Sequence, residues 1–235
     1  NSPFWTVHPI YCNNVLIRNI TINNPRDTPN TDGIDPDSSS NVLIENCVLQ
    51  GGDDNIAIKS GMDYCGRLVN RPSVNITVRN CIVPYGNGFC IGSEASGGVH
   101  NVLIENMLVG TSLHNCYVKT APGRGGIISD IHFRNITVLG VSRTGLHVNM
   151  NYTGSPPTNQ TATPIVRNIT FEDVNGNAKY AGIFNCIPES PCTCTVVDSR
   201  WRAEAGFSCV NATIQSSDVS PAMCAAPPVI DNPSP

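Results

Sequence analysis

The stretch Asn41-Val-Leu-Ile-Glu-Asn-Cys47 decides the fold, because closely related copies of it recur along the chain. The other copies are Asn14-Val-Leu-Ile-Arg-Asn-Ile20, Asn75-Ile-Thr-Val-Arg-Asn-Cys81, Asn101-Val-Leu-Ile-Glu-Asn-Met107, Asp130-Ile-His-Phe-Arg-Asn-Ile136 and Asn168-Ile-Thr-Phe-Glu-Asp-Val174. Their first residues are separated by 27, 34, 26, 29 and 38 positions, so loops of variable length must connect them. Within each copy, apolar residues alternate with polar or small ones, which is the two-residue period of a β-strand.

Strands this short cannot bury an apolar face alone, but they can bury it by stacking on the next copy. The pattern therefore predicts an all-β chain, folded as a parallel β-solenoid. Helices should be nearly absent, because 20 glycines and 18 prolines interrupt the chain. A sandwich or barrel is the rival fold, but it would need two-residue hairpin turns, and the intervals here are mostly longer. The Asn that begins most copies should hydrogen-bond to its equivalent on neighbouring coils.

The chain of 235 residues is long enough for one large domain with a buried core. We expect a single domain over 1–235, with β-helical coils over 1–180 and a cysteine-rich cap and tail over 181–235. Solenoids need covered ends, and the first copy lies close to Asn1 without a preceding cap. The sequence therefore predicts that coils on the N-terminal side are missing from this chain.

Eleven cysteines, together with several Asn-x-Ser/Thr glycosylation triplets, indicate an oxidising compartment. The triplets begin at Asn19, Asn75, Asn135, Asn151, Asn159, Asn168 and Asn211. We expect one disulfide between Cys209 and Cys224, and a second from Cys186 to either Cys192 or Cys194. A cytosolic chain with buried thiols is the alternative. The favoured prediction is a secreted protein of the extracellular space or cell wall.

Composition excludes several classes of partner. The 14 basic and 18 acidic residues give a net charge of −4, which offers no basic stripe for a nucleic acid. No apolar run approaches the roughly 20 residues of a membrane span. The polar, mostly uncharged surface that remains suits carbohydrate, and we expect a monomer that binds a polysaccharide.

Acidic residues are concentrated in two short segments, Asn30-Thr-Asp-Gly-Ile-Asp35 and Gly51-Gly-Asp-Asp-Asn55. Asp32 and Asp53 are 21 residues apart, which is about one coil of a solenoid whose strands lie about 4.8 Å apart. The two segments should therefore form one patch in which crowding raises at least one pKa and places a proton donor beside a carboxylate base. That is the arrangement of a glycosidase, and a gap of about 6.5 to 9.5 Å between carboxyl groups would admit the water of an inverting mechanism.

Two other interpretations of the acidic segments stay open. Asp beside Gly is common in turns of every fold, so each pair alone could be turn chemistry. A calcium site built from Asp32, Asp35, Asp53 and Asp54 is also possible, because calcium prefers oxygen ligands.

The same segments resemble the polygalacturonase family of pectin-degrading glycoside hydrolases, family 28, and most closely its plant-like and exo-acting branches. The resemblance rests on the opening Asn1-Ser-Pro-Phe-Trp-Thr-Val-His-Pro9, on the Asn-Thr-Asp-Gly-x-Asp motif at 30–35, and on Gly-Asp-Asp at 52–54. The segments around 92–98 and 119–126 resemble those that follow in the family. The resemblance implies a single-stranded right-handed parallel β-helix and inverting hydrolysis of α-1,4-galacturonide bonds without a metal or other cofactor. It also implies that Asp53 is the general acid and that Asp32 and Asp54 activate the attacking water.

Two positions depart from the family pattern. Asn87 stands in Gly86-Asn87-Gly88 where the family usually has Gly-His-Gly, and Tyr117 precedes Val-Lys119 where the family usually has Arg-Ile-Lys. Asn cannot titrate, and Tyr offers one hydroxyl in place of a planar cation that binds a carboxylate through two hydrogen bonds. We expect weaker binding of galacturonate or an altered sugar preference. The alternative is a catalytically impaired homologue that binds pectin or acts on another uronate-containing polysaccharide.

Substrate-binding residues can be assigned on the same basis. Lys119 is the cation best placed for a substrate carboxylate and Lys59 is the weaker candidate; Asn30, Asn87 and Tyr117 complete the predicted set. The histidines His8, His100, His114, His132 and His147 lie at no metal-ligand spacing and are predicted to be structural or surface residues. Trp5, Trp201 and Tyr85 could stack on sugar rings, although packing is the more frequent role of aromatic residues.

Overall fold

The computed structural model describes residues 2–154 and 161–224. The regular elements of this part of the chain are β-strands, apart from one short helix, α1, at Asp63–Val69. The strands are β1 Asn13–Arg18, β2 Thr21–Asn23, β3 Ser40–Glu45, β4 Val48–Gln50, β5 Ile56–Ile58, β6 Ser73–Arg79, β7 Ile82–Gly86, β8 Phe89–Ile91, β9 Val99–Ser112, β10 His114–Lys119, β11 Ile127–Asn149, β12 Ile165–Asn185, β13 Cys192–Val197, β14 Trp201–Val210 and β15 Ala212–Ser217.

The repeated segments stack as consecutive coils of a parallel β-helix, as the sequence predicts. Strands β1, β3, β6, β9, β11 and β12 follow one another in the sheet, and every neighbouring pair is parallel. The second residue of each copy is in register with the second residue of the next. This column runs Val15, Val42, Ile76, Val102, Ile131 and Ile169. Equivalent positions of the repeated segments therefore stack directly on one another in the structure.

Apolar columns of this kind fill the interior of the coils. Ile44, Val78, Ile104 and Phe133 are fully buried, and the rings of Phe133 and Phe171 stack at 5.3 Å between centroids. Burying these side chains is the main force that holds one coil on the next, because each strand is too short to bury them alone.

Asparagine side chains reinforce the stacking at the corners of the coils. Asn75 accepts a hydrogen bond from Asn101 at 3.4 Å and donates one to Asn41 at 2.6 Å, and Asn41 in turn donates to Asn13. The backbone of Asn75 has φ 57°, a left-handed conformation that Asn tolerates better than most residues. The predicted asparagine ladder is confirmed, although it ends at Asn13 instead of Asn14.

A second strand column carries the residues of interest for function. Strands β5, β8 and β10 pair in parallel and continue onto the C-terminal halves of β11 and β12. Single bridges from Val7 to Ile34 and from Ile34 to Ile56 extend this column to the first coil. The two acidic segments lie at its edge.

Parallel pairing continues beyond residue 180, where the sequence led us to expect an irregular cap. Strand β13 pairs with β12 and β15, and β14 pairs with the end of β12. Cys194 continues the apolar column above Ile169, which explains why the repeat persists after its asparagines fade. Residues 225–235, the end of the predicted tail, lie outside the described part of the chain.

Disulfides join Cys186 to Cys192 and Cys209 to Cys224, as the sequence predicts. In the first case the structure selects Cys192 over Cys194. Across residues 2–154 and 161–224, the structure contains no helix that is both long and apolar enough to cross a membrane.

Asn75 tests the contribution of the ladder to stability. Asn75→Ala should lower the free energy of unfolding by about 2 kcal/mol, because it removes two hydrogen bonds and places a Cβ-bearing residue without an amide at positive φ. Asn75→Gly relieves the backbone strain and should cost about half as much. Urea denaturation of unglycosylated protein measures both values. Two variants as stable as the parent would show that the ladder contributes nothing.

Candidate active site

Asp32 and Asp54 lie on consecutive coils, side by side. The backbone N–H of Gly33 donates to the carbonyl of Asp54 at 2.8 Å, and the bridge between Ile34 and Ile56 follows immediately. The close approach needs glycine at position 33, because a Cβ there would lie 2.4 Å from the carbonyl oxygen of Asn55. The Gly in the Asn-Thr-Asp-Gly-Ile-Asp segment is thus a packing requirement of the stacked coils.

The structure brings Asp32, Asp53 and Asp54 together at one place. One carboxylate oxygen from each lies within 4.8 Å of the others. This limit applies to one oxygen of each residue and not to the gap between whole carboxyl groups, for which the sequence analysis anticipated about 6.5 to 9.5 Å in an inverting enzyme. The crowding of the oxygens therefore does not by itself distinguish inversion from retention.

Asp53 is half-buried and held by three donors. Its Oδ2 accepts a hydrogen bond from the backbone N–H of Asn30, and its Oδ1 accepts from the side-chain amide of Asn87 and from the backbone N–H of Asp54, each at 2.9 Å. Asn30 therefore contributes through its backbone, with φ 56°, and Asn87 through its side chain. These bonds fix the direction in which Asp53 points.

Asp32 is buried, and its pKa is raised to about 6. Burial is the main cause and the neighbouring charge of Asp54 adds to it, whereas Lys59 opposes the shift from 3.7 Å. Behind it, Asp35 is fully buried and its pKa is raised well above its usual range, again chiefly by burial. The raised pKa that crowding predicts thus falls on Asp32 and Asp35.

Both predicted lysines are buried and already paired with carboxylates of the protein. Lys119 Nζ lies 2.7 Å from Asp54 Oδ2. Lys59 Nζ lies 3.2 Å from Glu94, 3.7 Å from Asp35 and 4.2 Å from the centre of the Trp5 ring. Burial alone would lower the pKa of each lysine, but the surrounding carboxylates outweigh it and raise both. The lysines are therefore charged.

Tyr117 belongs to an aromatic cluster in the wall beside Lys119. Its ring stacks on His147 at 4.2 Å and contacts His114 at 4.4 Å, and its hydroxyl accepts a hydrogen bond from Asn149 at 3.4 Å. Burial lowers the pKa of His114 to about 4 and that of His147 to about 3, so both rings are neutral near pH 7. Tyr117 is 5% exposed, which leaves little of it for a substrate.

The aspartates open into a cavity, called the acidic cleft below. Asn30, Lys59 and Lys119 line it with Asp32, Asp53 and Asp54, whereas Tyr117 and Asn87 are not among its lining residues. Further lining residues outside the predicted site are Trp5, Met62, Ser93, Glu94, Tyr152 and Gly154. Glu94 lies in a segment that sequence reasoning had singled out only by resemblance, and no repeat pattern marked Tyr152. Trp201, in contrast, is buried against Gly145 in the later coils.

The three carboxylates could also contact a cation, as the calcium alternative supposes. Calcium takes six to eight oxygen ligands, and here Asp54 already bonds to the ammonium group of Lys119. A cation in the cluster would compete with that lysine. The donor set therefore favours acid–base chemistry over metal binding.

A cluster of carboxylates in a surface cleft is the arrangement that glycoside hydrolysis needs. The family model of glycosyl hydrolases family 28 matches residues 1–217. The chain belongs to this family, the polygalacturonase family of glycoside hydrolases, which the sequence motifs resemble.

Individual relatives agree with this assignment. The chain is 36% identical over 240 residues to a probable polygalacturonase of Vitis vinifera, which covers 97% of the chain and 48% of that protein. A probable polygalacturonase of Arabidopsis thaliana is 32% identical and covers 82% of the chain and 42% of its own length. The chain thus spans about half the length of the curated relatives it matches.

Solved structures give the same fold. The hyperthermoactive exopolygalacturonase of Thermotoga maritima superposes with a TM-score of 0.85 at 31% identity, covering 95% of this chain and 50% of that one. The polygalacturonase of Erwinia carotovora superposes with a TM-score of 0.74 at 22% identity over 92% of this chain and 55% of that one. The second likeness shows the fold alone.

The raised pKa of Asp32 predicts how activity depends on pH. If Asp32 is a base, kcat/KM should fall as the pH drops through about 6, because Asp32 is then protonated. Lys59→Gln removes a charge that lowers this pKa, so the acidic limb should move to higher pH. The exposed Lys179→Gln is the matched control and should leave the limb in place.

The direction in which activity changes across pH 6 decides whether Asp32 is the base or the acid. Activity that falls as the pH rises through about 6 would make Asp32 the proton donor. If the pH at which activity falls is the same in Lys59→Gln as in the parent, the pH dependence does not arise from Asp32.

Proposed function

We propose that the protein hydrolyses α-1,4-galacturonide bonds of pectin, with Asp53 as general acid and Asp32 and Asp54 as the residues that activate water. The observation that carries this proposal is the gathering of these three aspartates within one cleft of a family 28 hydrolase. Asp53 is the most accessible of the three, so it is the one best placed to reach a glycosidic oxygen.

The proposed reaction follows from the environments of the carboxyl groups. Asp53 gives its proton to the glycosidic oxygen as the bond from the anomeric carbon to that oxygen breaks. A water between Asp32 and Asp54 forms the new carbon–oxygen bond and loses a proton to one of these carboxylates. Lys119 holds the Asp54 carboxylate in place through a contact of 2.7 Å at Oδ2, so Asp54 can accept a hydrogen bond from that water. The anomeric configuration of the product distinguishes inversion from retention, and the distances between the carboxylate oxygens do not.

The setting of this activity is part of the proposal. Two disulfides and the plant relatives support secretion, and the polygalacturonase names of those relatives support a pectic substrate in the cell wall. We propose that the protein acts there as a monomer without a cofactor.

Asp53→Asn tests the catalytic assignment. Release of reducing ends from polygalacturonic acid by the full-length secreted protein should fall by about 10² to 10⁴, because the variant keeps the shape of the side chain and loses the proton donor. Asp218→Asn is the matched control, since Asp218 is an exposed carboxylate on a late coil that pairs with Arg200. Its activity should equal that of the parent.

A second candidate is a catalytically impaired homologue that only binds pectin, and Asn87 and Tyr117 at the two motif positions favour it. In that case the parent and Asp53→Asn would be equally inert while both bind polygalacturonate. That outcome would overturn the hydrolase proposal and support the binding protein.

A further inference from the structure

A second cavity adjoins the acidic cleft at Asn87. The side-chain amide of Asn87 donates to Asp53 at 2.9 Å, and the same residue lines the neighbouring cavity. Gly52, which immediately precedes Asp53, lines it as well. The other lining residues that matter here are Arg26, Gly51, Gly86 and Ser112. A sugar chain that crosses Asp53 on this side would enter this cavity, which we call the arginine cavity.

Arg26 is an exposed cation at the arginine cavity, and it is held in place without a carboxylate partner among the described residues. Its guanidinium lies 5.0 Å from the centre of the Tyr85 ring. Tyr85 is fixed in turn, because its hydroxyl donates to the carbonyl of Asn24 at 2.8 Å. Stacking on a fixed ring orients the plane of the guanidinium while its N–H groups stay available.

The two lysines of the acidic cleft, in contrast, are paired with carboxylates of the protein. Lys119 is paired with Asp54, and Lys59 is surrounded by Asp32, Asp35 and Glu94. A substrate carboxylate would have to share either ammonium group with these partners. The residues outside the described part of the chain, 1, 155–160 and 225–235, contain no Lys or Arg. Among the residues that line the arginine cavity, Arg26 carries the positive charge.

Backbone groups and polar side chains line the arginine cavity. Gly51, Gly52 and Gly86 present only backbone there, and Ser112 and Asn87 supply polar side-chain groups. An arginine in such a setting binds a carboxylate through two parallel hydrogen bonds, a geometry that a neutral sugar cannot match.

We propose that Arg26 binds the carboxylate of a galacturonate residue in the arginine cavity, next to the sugar whose bond is cleaved at Asp53. This inference rests on the proposed function. It makes Arg26 a specificity residue that distinguishes the free acid from its methyl ester, and it adds a site of uronate recognition on the Asn87 side of Asp53.

The matched test compares Arg26→Gln with Arg71→Gln in the full-length protein. Arg71 is also stacked on a tyrosine, Tyr11 at 5.2 Å, but it lines neither the arginine cavity nor the acidic cleft. On polygalacturonate, Arg26→Gln should raise KM about tenfold with kcat within about twofold, because the contact exists equally before and during the reaction. Arg26→Lys should recover part of the loss, and Arg71→Gln should match the parent.

A binding measurement separates this inference from the proposed function. In the Asp53→Asn background, calorimetry should show trigalacturonate binding more tightly than its methyl ester, and Arg26→Gln should abolish the difference. An unchanged preference, or an equal loss for both ligands, would overturn the role of Arg26 even if the parent is active. If the parent is inert yet the preference depends on Arg26, the hydrolase proposal fails and the inference stands.

Discussion

The stacking of one coil on the next is the constraint on which the rest of the structure depends. Parallel strands lie about 4.8 Å apart, and this spacing brings residues 22 positions apart, such as Ile34 and Ile56, into direct contact. The apolar columns inside the coils and the asparagine ladder at their corners hold that register. The acidic cleft is a consequence of the register, because Asp32 belongs to one coil and Asp53 and Asp54 belong to the next.

Stacking of the coils also buries carboxylates, and buried lysines offset part of the free-energy cost. Asp32, Asp35 and Asp54 are withdrawn from water, which disfavours their charged forms. Lys59 and Lys119 reach them from later positions in the chain and offset part of this cost. The burial that makes the site reactive therefore also occupies its nearest cations. Arg26 lies beside the three carboxylates and has no acidic partner among the described residues, so its positive charge is available to a polyanionic substrate.

Much of this could be predicted from the sequence. Six copies of one motif determine the strands, their register and the apolar column from Val15 to Ile169, because a repeat unit that stacks on itself must align equivalent positions. The same reasoning brought Asp32 to Asp53 and Asp54. Variable loops between copies carry no such periodicity, so the approach of Glu94 and Tyr152 to the cleft could not be read from spacing.

The sequence also misled in identifiable ways. The expected end of the coils near residue 180 followed the loss of asparagines, whereas apolar side chains such as Cys194 continue the column without them. The ion pairs of Lys59 and Lys119 with carboxylates on other coils could not be read from the sequence, and the contact of both lysines with a substrate stays a prediction. The predicted role of Tyr117 also stays a prediction, and its stacking on His147 was not visible in the sequence.

The most direct test of the account is a crystal structure of the full-length Asp53→Asn protein with a bound oligogalacturonide. The account predicts a glycosidic oxygen within hydrogen-bond distance of residue 53 and a water held between Asp32 and Asp54 at the anomeric carbon. An oligosaccharide bound on another face of the β-helix, with the three carboxyl groups apart from any glycosidic bond, would contradict it.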